Sequence, residues 1–142
     1  MTAEKHNISQ KKYYQKNRET ILEKAREKAP ERREYQKSYQ REFRKTQAGR
    51  AQQLLSSYRY KDRLDNRGET TITKNWILEN IFTSSCVYCG ETDWRKLGCD
   101  RIDNEKAHTP ENCVCACKIC NSARQYKRMS VDEFKRLKGD SL

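Results

Sequence analysis

The chain has 142 residues, enough for one compact domain, but only 34% are hydrophobic while 36% are charged, so much of it belongs in solvent or against a polar partner. No apolar run is long enough to span a bilayer or to act as a secretion signal, which excludes a membrane protein and predicts a soluble, intracellular one. The formal net charge is +11, and residues 1–68 hold 19 Lys or Arg against 9 Asp or Glu, whereas residues 69–142 are close to neutral. That asymmetry predicts a basic arm over 1–68 and a separate working domain over 69–142, with nucleic acid as the natural polyanionic partner and a membrane surface as the weaker one.

In chain order, residues 9–29 are rich in helix formers but poor in apolar positions, so they predict a helix that buries little. Pro30 is expected to interrupt it, with a second helix over 31–47 ending near Gly49. Tyr-Gln-Lys recurs at 14–16 and 35–37, a hint of two related units. A third helix is predicted over 50–64, closed by the turn signal Asn66-Arg67-Gly68. Thr73 can cap a helix over 74–82, whose Trp76, Ile77 and Ile81 read as core. Strands are predicted over 97–102 and 113–116, joined by a long polar loop, and a helix over 117–128 follows. Ser130 and Glu133 have the spacing of a capping box ahead of a last short helix ending near Leu137.

Cys86, Cys89, Cys117 and Cys120 form two Cys-x-x-Cys pairs. Two thiolates three residues apart grip one edge of a tetrahedral ion, and two pairs close its shell, so this pattern predicts a structural zinc site. Gly90 permits the tight turn such a knuckle needs. A domain of some seventy residues is small for an unaided core, which gives the staple a physical purpose. Cys99, Cys113 and Cys115 read as small buried side chains, and Tyr88 and Trp94 as packing around the metal. His6, in a polar terminus, is assigned no role.

Between and after these pairs stands LGCDRIDNEKAHTPENCVCACKICNSAR. It resembles the HNH endonuclease motif, in the variant reading D-R-I-D, then Asn, then C-x-x-C-N-x-x-R, found among phage-type, homing and restriction nucleases. The resemblance covers residues 86–134 and implies an α+β, ββα-metal fold. It further implies a metal-dependent DNA endonuclease of phage or viral origin, which hydrolyses phosphodiester bonds in double-stranded DNA. Asp100 and Asn121 would hold one catalytic magnesium or manganese ion through hard oxygen donors, and Asn112 would tie down the loop. Asp103 and Glu105 could add charge near that ion. A homodimer would be needed to cut both strands together.

The chain departs from the motif where the family's general-base His is replaced by Arg101. A guanidinium stays protonated, so Arg101 is expected to hold the phosphate and offset charge in the transition state. The base is then His108, a tyrosine or metal-bound hydroxide, with packing of the loop as the other reading of His108. In the arm, Lys11, Lys12, Lys16, Arg18, Arg32, Arg33, Lys37, Arg41, Arg44 and Lys45 alternate with Tyr13, Tyr14, Tyr35, Tyr39 and Phe43, a pattern suited to DNA phosphates, or else to a solvated helix or a dimerisation coil. The rival to an enzyme is a zinc-containing nucleic-acid-binding protein whose catalytic centre has lapsed, with a structural RNA binder as a third reading.

Overall fold

The structure is a computed structural model that describes residues 3–139, with side chains from residue 7 onward. It divides into two compact units, Met1–Glu42 and Phe43–Leu142. The His6 side chain lies outside the described ones.

The first unit is helical. Helix α1 runs Ala3–Arg44 without a break, with Pro30 inside it, so the expected interruption does not occur. Proline's fixed φ suits a helix, and its missing N–H removes one backbone bond whose carbonyl water can hydrate in so exposed an element. Almost every described side chain of α1 is exposed, including Tyr13, Tyr14, Tyr35 and Tyr39.

The second unit opens with helix α2, Gln47–Leu64, capped by Thr46, whose hydroxyl oxygen accepts from the Gly49 amide. Gly49 sits within the first turn rather than ending a helix. A Cβ there would lie 2.6 Å from the Phe43 carbonyl carbon and 2.9 Å from the Arg44 Cα. Ala51, Leu55, Tyr58 and Asp62 form one buried stripe along α2. The division into compact units falls at 42/43, and the charge boundary of 68/69 lies within the second unit. Charge counts the exposed face of α2 and misses the stripe that packs inward.

Helix α3, Lys74–Asn80, is capped by Thr73, as its sequence predicts, and buries Ile77. Strands β1, Leu97–Arg101, and β2, Cys113–Cys117, pair antiparallel, with Asp100 opposite Val114 and Arg101 opposite Cys113. A single 3-10 turn, Pro110–Asn112, leads into β2. Helix α4, Lys118–Lys127, follows at once, and α5, Val131–Gly139, starts at the expected capping box, where Ser130 N donates to Glu133 at 2.7 Å. The core joins Leu55 and Tyr58 of α2, Ile77 of α3, Ile81, Leu97, Cys115 and Phe134. Arg50 donates to the backbone carbonyls of Trp94 and Leu97, tying α2 to the start of the hairpin. Among the described residues no helix is long and apolar enough to cross a membrane.

Candidate functional site

The four paired cysteines meet. Their sulfurs lie within 4.8 Å of one another, and Cys89 and Cys117 are 3.8 Å apart. Tetrahedral zinc with Zn–S bonds of about 2.3 Å sets neighbouring sulfurs about 3.8 Å apart, so the donor set fits zinc. Gly90, at φ +75, closes the first knuckle. Cys117 ends β2 and caps α4 through its sulfur. Burial pushes the Cys86 thiol up, but backbone N–H groups, led by that of Cys117, outweigh it and hold the thiol below its ordinary value. Such donors stabilise the thiolate that a metal needs.

Cys99 and Cys115 are buried and Cys113 half-buried, as small hairpin side chains. Trp94 stacks at a tilt against Phe82 and carries Arg95 over its ring. Tyr88 does more than pack: it meets Phe134 edge-on and donates its hydroxyl to Asp100 at 2.7 Å.

Asp100 is wholly buried at the end of β1. Its carboxylate is clasped by Arg124 of α4, with Nη2 2.5 Å from Oδ1 and Nε 2.6 Å from Oδ2. This bidentate pair locks α4 onto the hairpin, and Arg124 also donates to the carbonyls of Arg101 and Met129. Asn121, one turn earlier on α4, donates to the Cys99 carbonyl at 3.3 Å. The expected divalent-ion pair of Asp100 and Asn121 thus shares one neighbourhood, but a guanidinium occupies the carboxylate. Arg124 already neutralises Asp100 here, so a divalent ion at this carboxylate would have to displace that guanidinium. Asp103 and Glu105 stand apart from it: Asp103 accepts from the Glu105 amide and pairs with Lys106, shaping the loop.

Asn112 is buried and laces that loop. Its amide donates to the carbonyls of Asp103 and Ala107, each at 3.0 Å, and its oxygen accepts from Asp103 N at 2.8 Å. The loop so held presents His108, whose ring stacks on Tyr58 with centroids 4.1 Å apart.

Asp62, on α2, is the residue that motif reading misses. It is wholly buried, and its carboxylate accepts from Thr70 Oγ1 at 2.7 Å and from His108 N at 2.8 Å. His108 Nδ1 lies 3.0 and 2.9 Å from its two oxygens, and Arg101 Nη1 lies 3.3 Å from Oδ1. Burial pushes the Asp62 carboxyl up, and the His108 and Thr70 donors more than offset this, so it stays ionised. Burial also lowers His108 below the ordinary imidazole value; Asp62 opposes that shift, while Arg101 and Arg67 add to it. The ring is therefore neutral at physiological pH. Tyr58 and Tyr88 are both raised above the usual phenol range, chiefly by burial, which keeps them protonated and unsuited as bases. Asp62 had one signal in the sequence, a lone carboxylate on the inward stripe of α2, but nothing marked its partner 46 residues on.

The cationic residues of the arm, from Lys11 and Lys12 through Lys16, Arg18, Arg32, Arg33, Lys37, Arg41, Arg44 and Lys45, are all exposed.

No family model matches the chain. Over 79 residues, 54% of its length, the chain is 34% identical to an uncharacterized protein of Acanthamoeba polyphaga mimivirus, and the chain spans only 14% of that relative. Among solved structures, the rare-cutting HNH restriction endonuclease PacI aligns with a TM-score of 0.50 at 23% identity, over 62% of this chain and 73% of its own. What the two share is the fold; in this chain that fold is an α+β unit with a two-stranded sheet and a cluster of four cysteines able to hold a metal ion.

Proposed function

We propose that the chain is a DNA endonuclease of the HNH type, with a zinc-stapled ββα domain that hydrolyses phosphodiester bonds and a cationic helix that grips double-stranded DNA. The observation that carries this reading is the likeness of fold to an HNH restriction endonuclease, together with a loop histidine and a strand arginine that meet at one carboxylate. A viral origin accords with the mimivirus relative.

In this reading His108 takes a proton from water as the water oxygen bonds to phosphorus. The bond from phosphorus to the leaving sugar oxygen breaks, its electron pair goes to that oxygen, and a solvent proton completes the hydroxyl. Arg101 holds the phosphate and offsets the charge that grows on its oxygens. Asn112 keeps the loop in place. The four thiolates keep the fold, and α1 supplies backbone contacts that set affinity without reading sequence.

The second reading, a nucleic-acid-binding protein without catalysis, is favoured by the closure of Asp100 on Arg124. Supercoiled plasmid separates the two. With magnesium or manganese present the protein should nick it, and His108→Ala should bind but cut at least about a hundredfold more slowly. Binding without any cleavage by the unaltered protein would establish the second reading instead.

A further inference from the structure

The loop histidine and the strand arginine share one carboxylate, and that carboxylate comes from α2, outside the hairpin. His108 Nδ1 and Arg101 Nη1 both reach Asp62 Oδ1, at 3.0 and 3.3 Å. Asp62 is in turn held by the Thr70 hydroxyl and the His108 amide, so it has no freedom to swing. An ionised carboxylate can only accept, so the Nδ1 it faces must carry the ring proton. The other ring nitrogen is then a lone-pair acceptor. Every enclosed side-chain nitrogen or oxygen among the described residues has a hydrogen-bond partner. His108 Nε2 has no partner among the described residues, so it is not fully enclosed, although the side chain is only 5% exposed.

We propose that Asp62 is the positioning residue of the hydrolytic site: it fixes His108 in the Nδ1–H tautomer, leaves Nε2 open to water, and steadies Arg101 beside it. This rests on the nuclease reading for the reaction but not for the tautomer. In the step itself the water proton passes to Nε2, and the resulting imidazolium, still bonded through Nδ1–H, sits against the Asp62 charge that stabilises it. Asp62 takes no proton. Tyr58, stacked on the ring, fixes its plane. The groups that face His108 are Asp62 and Tyr58 from α2, Arg101 from β1 and Arg67 from the connection after α2.

The dyad makes the rate rise with pH through the His108 titration, since only neutral imidazole accepts the proton. Asp62→Asn removes the one charge that favours imidazolium, so the acidic limb should move to lower pH. It should also lower kcat on the order of a hundredfold or more while KM for plasmid stays near its original value. Asp62→Glu, which keeps the charge, should restore part of the rate. Nitrogen NMR of zinc-loaded protein, with the His6 signals assigned by His6→Gln, reads the tautomer without any need for cleavage. Protonated Nδ1 and bare Nε2 above the titration midpoint are expected. An Nε2–H tautomer in the unaltered protein would overturn the proposal, even if Asp62→Asn fails to fold. So would a folded Asp62→Asn whose pH limb does not move. Absence of cleavage by the unaltered protein, with the Nδ1–H tautomer present, would instead defeat the nuclease reading and leave the dyad standing.

Discussion

Burying Asp100 and Arg124 together strips water from two ions, and only their close bidentate geometry, with Tyr88 donating a third bond, offsets that loss. Removing one partner leaves the other charged and enclosed. Arg124→Ala should therefore cost about 3–5 kcal/mol in urea unfolding of zinc-loaded protein, far above the change for an exposed arm residue such as Arg33→Ala. His108 gives a second residue-scale expectation, in pH. Its folded pKa is lowered, so below the unfolded value of about 6.5 the unfolded chain binds more protons and stability falls until the folded value is reached. Melting temperature should drop as pH falls from about 6.5 toward the folded value, and His108→Gln should remove that part of the slope. Asp100, Asn112 and the four thiolates could be found from spacing, because a motif keeps them at fixed separations. Arg124 was visible only as the last letter of that motif, and its ion pair was not, since charge type does not tell which of 20 acidic residues a guanidinium will meet.

Among the elements, local signals worked where local physics decides. The Thr73 cap, the Ser130–Glu133 box and the hairpin all depend on neighbours within a few residues, and all appear within a residue or a few of their expected bounds. Pro30 and Gly49 were misread because each has two uses. Proline costs a helix one hydrogen bond and a ring clash, and α1 absorbs both with Pro30 itself exposed. Glycine ends helices through positive φ, but it also admits close backbone approach, and Gly49 serves the second purpose against Phe43 and Arg44. Gly49→Ala should thus destabilise the second unit by about 1–3 kcal/mol, measured by thermal melting, although alanine favours helix in an open site. A melting temperature equal to or above the original would show that the turn before α2 gives way freely.

At the largest scale the described chain is an exposed cationic helix followed by a unit built around four clustered cysteines, and the two should separate cleanly at the boundary between Glu42 and Phe43. A chain starting at Phe43 should fold, bind one zinc and lose most DNA affinity, with a shallower salt dependence because fewer phosphates are neutralised. A chain starting at Gly49 should be unstable instead, since it lacks the Thr46 cap. Zinc content and salt titrations of the two truncations check this. Chelating the metal should unfold the second unit, because α4 begins on a ligand.

The position of Asp62 also bears on how portable the nuclease-like motif is. The stretch that reads as a nuclease, from the first knuckle to the last helix, carries the histidine and the arginine but not the carboxylate that both reach, which lies 46 residues before His108. Grafted alone onto another scaffold, that stretch would retain its hairpin and its thiolates and still present an imidazole of unfixed tautomer. A host would need an inward carboxylate of its own on a neighbouring helix. The same requirement predicts that drift in this lineage tracks pairs rather than single letters: exchange of His108 for a residue without a ring proton removes the reason to keep Asp62 enclosed, and the two positions should change together.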